Sequence, residues 1–165
     1  FLMATKKSNV YEKEAFKEAL RLVMHDMAML MVADGEGAKK GVAFEVIGAV
    51  NNQEAEIAAK ALSNSLLVKT ALFGEDPNFG RIASTIGASR ITCDENTLVI
   101  SYNDVEVFNR GKILFNEEIE LKASKVLESD SFKIKCDIGQ GTGSFTAYGC
   151  DLGNEYVKIN ADYRT

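Results

Sequence analysis

Phe132-Lys133-Ile134-Lys135-Cys136-Asp137-Ile138, then Gly139-Gln140-Gly141-Thr142-Gly143, then Ser144-Phe145-Thr146-Ala147-Tyr148-Gly149-Cys150 sets the architecture of this chain. The outer segments alternate apolar and polar residues, the period of a strand with one buried face. The glycine-rich middle invites a phosphate-loop reading. Such a loop needs a helix after it and a lysine followed by a hydroxyl residue at fixed spacing. Here a second strand follows, and no Gly-Lys is followed by Ser or Thr anywhere in the chain. The segment therefore predicts a glycine-rich hairpin connection rather than a nucleotide cradle.

Working outward, Leu98–Tyr102 and Val105–Asn109 read as a hairpin around Asn103-Asp104, with Lys112–Phe115 extending the sheet. Gly41–Val50 reads as a strand with Val42, Phe44, Val46 and Gly48 on one face. Helical patterns cover Glu12–Ala33, Glu54–Ser63 with Asn51-Asn52 as its cap, Leu66–Phe73, Phe79–Gly87 after the single proline, Glu117–Leu127 and Glu155–Tyr163. The first helix carries a stripe of Phe16, Leu20, Val23, Met27 and Leu30, which predicts burial of its second half. Phe1–Thr5 reads as a strand end. Strands and helices do not alternate regularly, so the expected class is α+β, a layered α/β sandwich, rather than a doubly wound sheet.

At 165 residues, 46% hydrophobic and 26% charged, the chain can bury a core without disulfides or metals. Its net charge of −5, with no basic run, argues against nucleic acid and anionic membranes as partners. Cys93, Cys136 and Cys150 are scattered, with no metal-ligand spacing, and read as free, mostly buried thiols in a reducing cytoplasm. No signal peptide is visible, and the apolar stretch Met27–Val32 is far too short to span a bilayer. His25, the only histidine, adjoins Asp26 inside a helix, where neighbours point in different directions. It reads as a helix-surface residue, so histidine-based catalysis is not expected.

Three stretches hold candidate site residues. Asp34-Gly35-Glu36-Gly37 places a carboxylate between two glycines just past a helix end, on backbone able to approach a ligand. Its plain alternative is a helix C-cap with a solvated glutamate. Ser65–Ala71 with Gly74–Ile82 sets Lys69 and Arg81 in apolar surroundings, with Glu75 and Asp76 between. That is either a structural ion-pair corner or a turn lining a polar cleft. The ending Tyr156–Thr165 is polar and aromatic without the looseness of a tail, so it is expected to dock.

Together, Asp34–Ala38, Leu67–Ala71 with Gly74–Ile82, and Cys150-Asp151-Leu152 through Tyr156–Thr165 resemble the ornithine acetyltransferase (glutamate N-acetyltransferase) family of arginine biosynthesis. The likeness runs from about Leu20 to Thr165 and is most specific at Tyr156–Thr165. It implies an N-terminal-nucleophile-like acetyltransferase fold of the DmpA/ornithine-acetyltransferase kind, with residues 1–165 as the C-terminal part of its β chain. Such proteins cut themselves at an Ala-Thr bond, and the freed threonine is the nucleophile. The acetyl group passes from N-acetylornithine to glutamate through an acetyl-threonine ester, and some members also use acetyl-CoA. The resemblance implies no cofactor and no metal. It implies a cytoplasmic enzyme assembled with an α chain of the same precursor into a heterotetramer of two α and two β chains.

Matched residue by residue, the resemblance assigns substrate binding to Glu36, Asn160 and Thr165 and no catalytic residue to this chain, whose nucleophilic threonine is expected upstream. The chain alone is expected to be inactive. Lys39 stands where the family commonly has threonine, close enough in sequence to weaken the pull of Glu36 on a cation. Phe79 replaces a usual tryptophan as a smaller aromatic plug. Met3-Ala4-Thr5 imitates the cleavage site, but Thr5 is not residue one and is followed by Lys6-Lys7-Ser8 instead of an apolar strand. Phe1 therefore reads as an end inside the β chain. The competing reading is a non-catalytic binding or structural module of the same fold.

Overall fold

The computed structural model describes residue 7 and residues 11–162. Phe1–Thr5, expected as a strand end, and Thr165, expected from the resemblance to bind substrate, lie outside the described residues. The chain divides into two units, residues 1–31 and residues 32–165. The first helix, α1 (Lys13–Ala33), has no buried residue, and Phe16, Val23, Met27 and Leu30 are each half or more exposed. This corrects the expected burial of its second half. Periodicity shows that a helix owns an apolar face, not that the same stretch of chain covers it.

The second unit is built on one six-stranded sheet. Its strands are β1 (Gly41–Ala49), β2 (Val99–Tyr102), β3 (Val105–Asn109), β4 (Lys112–Ile113), β5 (Ser131–Asp137) and β6 (Gly143–Cys150), in the order β4-β3-β2-β5-β1-β6. The helices are α2 (Asn52–Asn64), α3 (Leu66–Phe73), α4 (Phe79–Ala88), α5 (Glu117–Leu127) and α6 (Asn154–Asp162). Side chains at Asn51, Ser65, Asn78 and Asn116 cap α2, α3, α4 and α5 by accepting hydrogen bonds from backbone amides in their first turns.

One face of the sheet carries the core. Val42, Phe44 and Val46 of β1, Ile134 and Cys136 of β5, and Ile100 and Tyr102 of β2 are almost fully buried, against Ala55, Ala58, Ala59 and Leu62 of α2. Alanines let α2 lie close over β1 and β6. Phe79 fills the space beside β3, stacking on Phe108 at 6.1 Å and leaning on Phe115 at 5.7 Å. The opposite face is polar, with Lys133 bonded to Glu45 at 3.3 Å.

The β2–β3 hairpin forms around Asn103-Asp104, with Asn103 in the left-handed region. The glycine-rich stretch does not form a hairpin, which corrects the expectation. β5 and β6 both pair with β1, parallel and antiparallel respectively, so β1 is inserted between them. Gly139–Gly143 instead crosses the end of β1, and Gln140 and Gly141 both donate backbone bonds to the Gly48 carbonyl. The crossing is too tight for side chains. A Cβ on Gly141 would lie 2.7 Å from the Ala49 oxygen, and one on Gly143 would lie 2.1 Å from the Asn51 carbonyl carbon. Gly48 is not a regular strand residue either, since it sits at an irregularity with φ +66° and the burial passes to Ala49.

Candidate functional site

The other end of β1 is different. Between α1 and β1 the chain runs through Asp34-Gly35-Glu36-Gly37. Gly37 has φ +69°, and a Cβ there would stand 2.8 Å from the Glu155 Cβ and 2.9 Å from the Tyr156 nitrogen. A larger residue would be strained in its own backbone and would push α6 away. Gly35 lies similarly close to Cys150, whose Sγ would be 3.2 Å from an added Cβ. The two glycines thus set this turn against the end of β6 and the start of α6.

The consequence is a contact across 124 residues of sequence. Asn160 Nδ2 donates to Glu36 Oε2 at 2.8 Å and to the Tyr156 carbonyl at 2.9 Å. Two of the three expected binding residues are therefore hydrogen-bonded partners. The bond fixes one carboxylate oxygen of Glu36 by an amide that is itself fixed to its helix.

A cavity of about 310 Å³ opens beside them, lined among others by Glu36, Asn64, Lys69, Cys150, Asp151 and Tyr156. The floor of this region is a polar latch. Asp151, 2% exposed, accepts at Oδ1 from the Lys39 amide (2.8 Å) and the Lys40 amide (3.1 Å), while its own amide donates to the Lys40 carbonyl. The latch ties the end of β6 to the start of β1. Beneath it, Lys40 is buried and paired to Glu75 at 2.8 Å, with a further bond to the Leu127 carbonyl. On the far side, the Leu152 amide donates to the Lys69 carbonyl, joining the segment before α6 to α3.

Several sequence-level expectations change here. Lys69, Glu75, Asp76 and Arg81 do not form an ion-pair corner. Arg81 donates to the Leu67 carbonyl (2.8 Å) and Thr70 Oγ1 (3.3 Å), and Glu75 turns to Lys40. Arg81 thus satisfies its guanidinium on the first turns of α3, sharing the Leu67 carbonyl with Thr70 Oγ1. Lys69 lines the cavity instead, which is the polar-cleft alternative. Lys39 does not reach Glu36; its ammonium group lies over the Phe73 ring, 5.6 Å from the centroid. Of the three thiols only Cys136 is buried; Cys93 is exposed and Cys150 is intermediate. Burial pushes the Cys136 thiol up to about 12, and desolvation likewise raises the Tyr102 hydroxyl. His25 is exposed on α1. Asp151 falls within a stretch that carries the family resemblance but has no site role in the sequence reading, whereas Lys69 belongs to the stretch read as a possible polar-cleft turn. The signal for Lys69 is a lysine inside the apolar run Leu66–Phe73.

Among the described residues, no group of three or more His, Cys, Asp or Glu is placed to hold a metal ion, and no helix is long and apolar enough to cross a membrane.

Comparisons with known proteins converge on one family. A family model described as the ArgJ family matches residues 1–165. The chain is 65% identical over 164 residues to the arginine biosynthesis bifunctional protein ArgJ of Wolinella succinogenes, covering 99% of this chain and 41% of that protein. It is 45% identical over 154 residues to a glutamate N-acetyltransferase of Methanopyrus kandleri, covering 91% of this chain and 39% of that protein. Its fold matches the crystal structure of the arginine biosynthesis bifunctional protein argJ from Bacillus halodurans with a TM-score of 0.85 and 38% identity, over 97% of this chain and 74% of the other. The chain spans about two fifths of the length of the curated relatives it matches.

Proposed function

Because the chain belongs to the ArgJ family, we propose that residues 1–165 are the C-terminal part of the β chain of a glutamate N-acetyltransferase. In the intact protein, acetyl moves from N-acetylornithine to glutamate. The likeness to a protein named glutamate N-acetyltransferase supports this reading. The observation that carries it at residue level is the Asn160–Glu36 hydrogen bond beside the cavity.

The chemistry divides between this chain and the segment upstream of it. Upstream, a threonine at the head of the β chain attacks the acetyl carbonyl of N-acetylornithine, its own terminal amine taking the hydroxyl proton. The C–N bond breaks, ornithine leaves with a proton, and an acetyl-threonine ester remains. The amine of glutamate then attacks the ester and frees the threonine. Neither half-reaction needs a histidine.

This chain binds and orients. Glu36 accepts hydrogen bonds from the substrate amino group with the oxygen that Asn160 leaves open, a charge-assisted contact in a partly walled space. Asn160 prevents the carboxylate from swinging out, so less rotamer freedom is lost on binding. The family resemblance gives Thr165, which lies outside the described residues, a share in substrate binding. An α chain of the same precursor supplies the oxyanion donors, and two such pairs form a heterotetramer.

The test is to restore the upstream gene sequence and follow the product by intact mass and N-terminal sequencing. Self-cleavage at an Ala-Thr bond is expected, with no turnover by the 165-residue chain alone. An uncleaved precursor without acetyl transfer would leave the non-catalytic module as the better account.

A further inference from the structure

Gly153 is a glycine that its own backbone does not require. It is buried, and its φ lies outside the left-handed region, so any residue could adopt its conformation. What leaves no room for a side chain is the ring of Phe73. An added Cβ would stand 2.3 Å from Phe73 Cε2, 2.5 Å from Cδ2 and 3.0 Å from Cζ. Carbon atoms in contact sit about 3.5–4.0 Å apart, so the ring edge occupies the place of the missing side chain.

The same ring meets a second neighbour. The Lys39 ammonium group lies over it, 5.6 Å from the centroid. Phe73 thus stands between two arms of the candidate site. Lys39 lies between Glu36 and β1, and Gly153 is the residue just before α6, which carries Asn160. The ring also has a fixed base, because Phe73 is the last residue of α3. Beyond that end Glu75 pairs with the buried Lys40 at 2.8 Å, and before it the Lys69 carbonyl accepts from the Leu152 amide at 3.2 Å. These bonds tie α3 to the start of β1 and to the root of α6. The ring fills the space between the two arms.

The arms meet again at the Glu36–Asn160 hydrogen bond of 2.8 Å. Such a bond tolerates little stretching, since N–H···O distances end near about 3.2 Å. Asn160 lies seven residues beyond Gly153, about 10 Å along the helix, so a small tilt at the root becomes a large shift at the amide. We propose that Phe73 is a positioning residue, whose ring is the spacer that sets α6 at the distance from the Glu36 turn at which Asn160 holds Glu36. This rests on reading Glu36 and Asn160 as substrate-binding residues. Phe73 acts through these two side chains rather than on the substrate.

The test is a cycle of variants in the intact protein with its upstream segment. Phe73→Leu shrinks the spacer, and Gly153→Ala drives a methyl into the ring. Each is expected to raise KM for N-acetylornithine by about five- to tenfold, with kcat within about threefold of wild type. In the double variant the methyl enters space that the ring has given up. Its KM is expected to return to within about threefold of wild type instead of multiplying the two losses. Phe73→Met replaces Phe73→Leu should the latter fold poorly. A second readout is the side-chain amide resonance of Asn160 in protein labelled with nitrogen-15 asparagine. It shifts in each single variant and returns in the double variant. Unchanged KM in the single variants with a lowered melting temperature, or losses that multiply in the double variant, overturns the proposal and leaves the acetyltransferase reading standing. A wild type that transfers no acetyl group sinks that reading, and the Asn160 resonance then decides for Phe73. Shifted in the single variants and restored in the double, it supports the spacer; unmoved, it overturns it.

Discussion

Two glycine-bearing connections stand at opposite ends of β1, and they do opposite work. At one end, Gly139–Gly143 crosses over Ala49 and Asn51 so closely that backbone fills the space where side chains would be. It ties β6 into the sheet beside β1 and presents no chemistry. At the other end, Gly35 and Gly37 allow a similarly close approach to Cys150 and α6, but the residue between them is Glu36, held by Asn160. Glycine content alone therefore distinguishes neither a nucleotide loop nor a site. What matters is which neighbour the missing Cβ admits. Backbone neighbours make a fold joint, whereas a helix carrying a polar side chain makes one wall of the candidate site.

That contrast can be broken from either end. The largest effect on stability is expected at Gly143→Ala, because the new methyl would lie 2.1 Å from the Asn51 carbonyl carbon. Backbone cannot move aside as a flexible side chain can. A loss of about 3 kcal/mol is expected in urea unfolding. A loss below about 1 kcal/mol would show that the crossing is not the joint described here.

The polar latch comes next. Asp151→Ala strips two backbone amides of their acceptor and should cost about 2 kcal/mol. Asp151→Asn keeps an acceptor for both amides and removes the charge whose second oxygen is unpartnered. It should stay within about 0.5 kcal/mol of wild type. If the asparagine variant lost as much as the alanine variant, the latch would depend on charge and not on its hydrogen-bond geometry.

The elements legible in the sequence were those with local causes. α3 and α5 carry serine or asparagine caps and end where expected, at Leu66–Phe73 and Glu117–Leu127. The Asn103-Asp104 turn announced its hairpin. The Gly139–Gly143 connection departs from the expected hairpin because a turn signal says that the chain bends, not which strand it bends around. Placing β1 between β5 and β6 depends on pairings about 90 residues apart, which no local pattern reports. The α1 stripe is exposed against expectation for a related reason, since apolar periodicity is silent about the partner. At the site, Glu36 stood out through its flanking glycines, and Asn160 through the specific ending of the chain. Lys69 stands out as a charge in an apolar run, but Asp151, just past the end of β6, carries no such mark, and only the folded chain brings the two to one cavity.

Gly37→Ala probes the site end directly. It combines a left-handed backbone with contact against Glu155, and should cost about 1–2 kcal/mol. In the intact protein it should also weaken substrate binding, since Glu36 moves away from Asn160. A stability loss without a binding loss would place this turn with the fold joint and erase the contrast.

The smallest stability change, and the most direct test, belongs to Glu36→Gln in the intact protein. Glu36 is exposed, and glutamine preserves a partner for Asn160. The measurement is the Michaelis constant for N-acetylornithine alongside the melting temperature. KM should rise about tenfold while stability stays within about 0.5 kcal/mol of wild type. A clear fall in melting temperature with an unchanged Michaelis constant would instead make Glu36 a helix-end residue, and the substrate-binding account would be contradicted.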